Sequence, residues 1–67
     1  MTQTRYVKIG KKYKYNGEYL GILLNKTLCY EMEDEMDMDS TYYELEFKLN
    51  GKIYTMHFTP EQDLIED

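Results

Sequence analysis

The chain has 67 residues, with 13 acids against 8 bases and a net charge of −5, a balance that disfavours nucleic acid as the main partner. So short a chain forms one domain and buries only about 60% of the surface its unfolded form exposes. A single cysteine, Cys29, excludes an internal disulfide, and one Cys with one His excludes a tetrahedral zinc site, which leaves oligomerisation as the staple.

The N-terminus, Met1 to Tyr6, has no apolar stretch of the signal-peptide kind, so the chain reads as intracellular and not secreted. Residues 1–17 hold five cations (Arg5, Lys8, Lys11, Lys12 and Lys14) and no acid. The remaining residues hold three cations against all 13 acids. One basic and one acidic region on so small a body point to self-association or to a basic partner.

The first element in chain order is a hairpin around Asn16-Gly17. Both central residues of a type I′ turn need positive φ, which Asn tolerates and Gly accepts freely. A continuous register predicts an apolar face with Tyr13 opposite Leu20, Lys11 opposite Ile22 and Ile9 opposite Leu24. The other face carries Lys14 opposite Tyr19, Lys12 opposite Gly21 and Gly10 opposite Leu23. Gly10 and Gly21 inside these strands predict a bulge or a bend. A further strand is expected from Tyr6–Ile9 or from Thr27–Met32. The basic strand Lys8–Lys14, with tyrosines interleaved, has the composition of a single-strand nucleic-acid platform. Lysines on a half-buried edge strand account for it better, because they deter strand addition.

Next comes Glu31-Met32-Glu33-Asp34-Glu35-Met36-Asp37-Met38-Asp39, six acids in nine positions. A calcium loop starting at Asp37 would need Gly at its sixth place and Glu at its twelfth, where Tyr42 and Lys48 stand. Two readings remain, a solvated acidic loop and a docking surface for a basic peptide. The interspersed methionines, adaptable in contact, favour docking.

The second hairpin turns at Asn50-Gly51. Its register places Leu49–Lys52, Phe47–Tyr54, Leu45–Met56 and Tyr43–Phe58 on an apolar face. Lys48–Ile53, Glu46–Thr55, Glu44–His57 and Tyr42–Thr59 fall on the other, and a one-residue slip would scramble this segregation. Glu44 opposite His57 predicts a cross-strand pair. The same pair resembles the base and orienter of a catalytic site, for which Cys29 and Ser40 are the available nucleophiles. Thr59-Pro60-Glu61-Gln62 then reads as a capping box with Pro at the first helical position. That predicts a short helix over 60–65, with Leu64 or Ile65 folded against the barrel mouth.

Two curved hairpins, each with one apolar face, bury those faces on one another, and an all-β, partly open barrel follows. The outward tyrosines Tyr19 and Tyr42 suit either a homodimer interface or an aromatic cage for methylated lysine.

The stretch Lys8-Ile9-Gly10-Lys11-Lys12-Tyr13-Lys14-Tyr15-Asn16-Gly17-Glu18-Tyr19-Leu20-Gly21 resembles the opening of small SH3-like and Tudor-like barrels. The acidic-aromatic ligand motif and groove Trp of true SH3 domains are absent, which speaks against proline-rich ligands. With Tyr43-Glu44-Leu45-Glu46-Phe47, the stretch also resembles short uncharacterised proteins of large amoeba-infecting DNA viruses, marseilleviruses among them. That resemblance implies a small viral protein without enzymatic activity, acting by association in host cytoplasm or nucleus and packaged in the virion.

The expected protein is therefore an SH3-like small barrel, homodimeric, that binds partners and needs no cofactor or metal. Its expected contact residues are Glu33, Asp34, Glu35, Asp37 and Asp39 with Tyr19 and Tyr42. The rival is a Tudor-like reader of basic, histone-like tails. Neither nucleic acid nor a membrane is an expected partner.

Overall fold

Asn16 and Asn50 both adopt φ 51°, followed by Gly17 at 80° and Gly51 at 78°. These paired left-handed values close two type I′ turns, whose twist matches that of the strands they join. In the computed structural model, which describes residues 1–31 and 40–67, the turns organise six strands. They are β1 (Thr2–Gln3), β2 (Lys12–Tyr15), β3 (Glu18–Glu31), β4 (Ser40–Leu49), β5 (Lys52–Phe58) and β6 (Asp63–Glu66), with a 3-10 turn over Thr4–Tyr6. They form one antiparallel sheet in the order β1-β6-β2-β3-β4-β5, curled into a small, partly open barrel.

The second hairpin has the register read from its sequence, unbroken from Tyr43–Phe58 to Leu49–Lys52. Its inward residues Leu45, Phe47 and Phe58 join Val7, Tyr13, Leu20, Leu23 and Leu64 in the core. Tyr15, Tyr43, Tyr54 and Met56 pack around it.

The first hairpin departs from its expected register at one residue. Lys14–Tyr19 and Tyr15–Glu18 pair as expected, but Tyr13 then faces Gly21 and Lys12 faces Ile22. Leu20 is the extra residue of a bulge, and the β3 residues from Gly21 to Leu23 change face. Leu23, expected outside, is fully buried. Ile9, expected inside, is 60% exposed for a separate reason: it precedes β2 in a turn where the Lys11 amide donates to the Lys8 carbonyl at 3.3 Å. The bulge forms at Gly21 (φ 105°), where β3 passes so close to β4 that a Cβ would collide with the Lys48 carbonyl. A second irregularity, between Leu23 and Asn25, bends β3 again against β4.

Of the alternative Thr27–Met32, Thr27–Glu31 is strand, but as the far half of β3 rather than a separate element, and Met32 lies outside the described residues. Tyr6–Ile9 is not strand. The N-terminal segment is instead tied to the turn after β5. Thr4 donates from both its amide (2.8 Å) and its hydroxyl (2.9 Å) to the Gln62 carbonyl, and the Arg5 amide donates to the Pro60 carbonyl at 3.2 Å.

The helix expected over 60–65 does not form. Its cap chemistry does: the Gln62 side-chain oxygen accepts from the Thr59 amide at 2.7 Å, and the Gln62 amide donates back to the Thr59 carbonyl at 3.2 Å. That closes a single turn, after which Asp63–Glu66 extends between β1 and β2. A helix of six residues has a costly nucleus and few bonds to recover it, whereas β1 and β2 both offer unpaired backbone. Leu64 is fully buried, as expected, and Ile65 points outward in strand alternation.

Candidate interaction surface

The outward face of the sheet is built in rows by the strand registers. Tyr19 and Ile65 flank Lys14 in the first row. Lys12, Ile22, Lys48 and Ile53 form the next, crossing four strands. Asn25, Glu46 and Thr55 follow, then Thr27, Glu44 and His57, then Cys29 beside Tyr42. The face is therefore two-toned. One half interleaves lysines with the exposed apolar side chains of Ile53 and Ile65, and the other carries carboxylates, an imidazole and a tyrosine.

The Glu44–His57 pair forms as the register implied, with Oε2 and Nε2 3.2 Å apart. The His57 ring also lies 4.9 Å from that of Tyr42. Both partners are half-exposed, so water and salt screen the contact heavily. The Cys29 thiol donates to the Thr27 carbonyl of its own strand at 3.8 Å. β4 separates the strands that carry Cys29 and His57.

The inward end of the sheet holds a lysine that residue patterns did not single out. Lys26 donates to the Arg5 carbonyl at 2.6 Å and the Val7 carbonyl at 3.1 Å, and its ammonium lies 5.0 Å from the Tyr43 ring centroid. It closes the open end of the barrel by binding carbonyls that the short 3-10 turn leaves unsatisfied. Burial pulls its pKa below the usual lysine range. Its neighbours come from distant segments, so no local pattern could reveal the role. Tyr54 donates to the Leu20 carbonyl at 2.6 Å, and burial, aided by the charge of Glu18, raises its pKa.

Of the expected contact residues, Glu33, Asp34, Glu35, Asp37 and Asp39 lie outside the described residues. Tyr42 stands beside His57, and Tyr19 stands beside Lys14. Because Tyr42 pairs with Cys29, the two tyrosines are ten positions apart along β3, roughly 30 Å at strand rise. One chain does not bring them into a single cage.

The basic and acidic regions of the sequence meet within the molecule. Among the described residues, Arg5 pairs with Glu61 (3.9 Å), Lys11 with Glu66 (3.9 Å) and Lys14 with Asp67 (3.5 Å). The docking of β6 beside β2 makes two of these contacts. No helix among the described residues is long and apolar enough to cross a membrane. Compared with family models, curated proteins and solved structures, the chain finds no match.

Proposed function

We propose that this protein works by protein–protein association rather than catalysis, as a small assembly protein whose first partner is a second copy of itself. The observation that supports this reading is the two-toned outer face. Ile53 is 60% exposed and Ile65 49%, set among Lys12, Lys14 and Lys48, while Glu44, Glu46 and Tyr42 occupy the other half. A second copy turned by a two-fold axis sets each half beside its complement. The resemblance to short proteins of large DNA viruses accords with such a role, inside the host cell and in the virion. Sedimentation equilibrium should show a dimer at micromolar concentration. A strict monomer that nevertheless melts cooperatively would overturn the reading.

A second reading, the Tudor-like reader of basic tails, is supported by the internal ion pairs. Glu61, Glu66 and Asp67 are already partnered by cations of the same chain, so the six acids of residues 31–39 dominate the remaining negative charge. Replacing Glu33, Asp34, Glu35, Asp37 and Asp39 with Asn or Gln should sharply weaken binding to a basic, histone-like peptide. Wild-type binding should fade with salt as the screening length falls to about 8 Å at physiological ionic strength. Fold stability should stay level or rise slightly, because clustered like charges repel. Equal peptide affinity in the variant and the wild type would reduce the segment to a solvated loop.

A further inference from the structure

Among the described residues, β1, the far half of β3 and β5 each leave a strand edge unpaired, and these edges differ in how well they resist another strand. β1 has only two residues. The far half of β3 is bent by the irregularity between Leu23 and Asn25 and directs Lys26 inward. Shortness, bulges and inward charges are the devices that blunt an edge. β5 has none of them: Lys52–Phe58 is seven residues long, unbulged, free of proline and acids, and charged only by Lys52 at its first position and by His57 when protonated.

We propose, resting on the self-association reading above, that β5 is the dimer contact. Two copies of the strand pair antiparallel across a two-fold axis at Thr55, joining both sheets into one. The bonding phase of the hairpin selects this centre. Residues flanking a two-residue turn exchange both backbone bonds, and bonding alternates from there. Lys52, Tyr54, Met56 and Phe58 therefore face β4, while the N–H and C=O groups of Ile53, Thr55 and His57 point to the free edge. Centring on Thr55 sets Thr55 against its own copy and Ile53 against His57 of the second copy, for about six backbone hydrogen bonds. Shifting the centre to Tyr54 or Met56 forms fewer.

The side chains agree with that register. On the inward side, half-buried Met56 meets Tyr54 of the second copy, a favourable sulfur–aromatic neighbour, and extends the apolar rows of Leu45 and Phe47. Outward, Thr55 meets Thr55, a pair that sheets favour, flanked by Glu46 on either side. The row Lys48–Ile53 continues into His57–Glu44 of the second copy, so a cation and an anion end the same row and no like charges face each other. Tyr42 stands at the rim beside His57, and Tyr19 lies outside the contact.

Amide hydrogen exchange on the intact chain, at concentrations above and below the dimer dissociation constant, tests the contact residue by residue. The amides of Ile53, Thr55 and His57 should be protected in the dimer and exchange freely on dilution. Those of Tyr54 and Met56, bonded to β4, should stay protected in both. Thr55→Lys sets two ammonium groups together on the axis and should raise the dissociation constant by at least about 10-fold, with the melt retained. Thr55→Pro removes the outward donor and should weaken the dimer in the same sense. A wild-type dimer whose Ile53, Thr55 and His57 amides exchange at the dilute rate, and which both variants leave intact, overturns the β5 contact while self-association stands. A wild type still monomeric at about 1 mM overturns both.

Discussion

Gly21→Ala should destabilise the fold by roughly 3–5 kcal/mol, as the sum of two separate penalties. The first is conformational: at φ 105° an L side chain is strained wherever it sits. The second is steric, because the new methyl would meet the backbone of Lys48, with the carbonyl carbon 2.8 Å away and the oxygen closer still. A backbone carbonyl in a paired strand cannot swing aside as a side-chain tip can. Opening the gap would part β3 from β4 at the bulge that carries Leu23 into the core. Gly10→Ala separates the two penalties, because Gly10 has φ 93° but open space around its missing Cβ. It should lose only about 1–2 kcal/mol. Urea melts of both variants decide the matter, and equal losses would show that the close approach at Lys48 contributes nothing.

Phe47→Ala should cost about 3–5 kcal/mol through lost burial and the cavity left behind. Phe47 is fully buried at the centre of the sheet, paired with Leu23 on β3 and Tyr54 on β5, its ring 6.0 Å from that of Tyr54. Three strands depend on its volume, and no single neighbour can collapse into the space. Against a typical total of about 5–15 kcal/mol, the loss is enough to unfold a domain of this size. Ile53→Ala on the outer face is the matching control and should change monomer stability by less than about 0.5 kcal/mol. A melt in which Phe47→Ala loses less than about 1 kcal/mol would mean that the ring is not the keystone its burial makes it.

The residues of the second hairpin announced its register because every informative signal there is local. Asn50-Gly51 sets the turn, and strict alternation from Tyr43 to Leu49 and from Lys52 to Phe58 tolerates no slip. The Glu44–His57 pair was legible for the same reason. The first hairpin shows where such reading stops. Its turn and the first two pairs beyond it obey the same rules, and Gly21 marked the presence of an irregularity. The inserted residue, however, depends on how β3 meets β4, because the Lys48 backbone leaves no room for a side chain at Gly21. With Leu20 added, Leu23 went inward.

At the C-terminus a local signal and a longer-range one competed, and the longer-range one prevailed. Thr59 and Gln62 make the cap bonds their sequence promised, yet the unpaired edges of β1 and β2 draw Asp63–Glu66 into strand. Lys26 was invisible for a related reason, since the carbonyls of Arg5 and Val7 reach it only once the N-terminal segment has folded across the barrel end. Turn positions, strand period, the all-β class and the core of the second hairpin thus followed from neighbours in the chain, where φ preference and alternation act. The bulge register, the C-terminal strand, the Lys26 closure and the pairing of basic with acidic segments were decided by tertiary packing. Each depends on a backbone approach or an open edge contributed by residues far away in sequence.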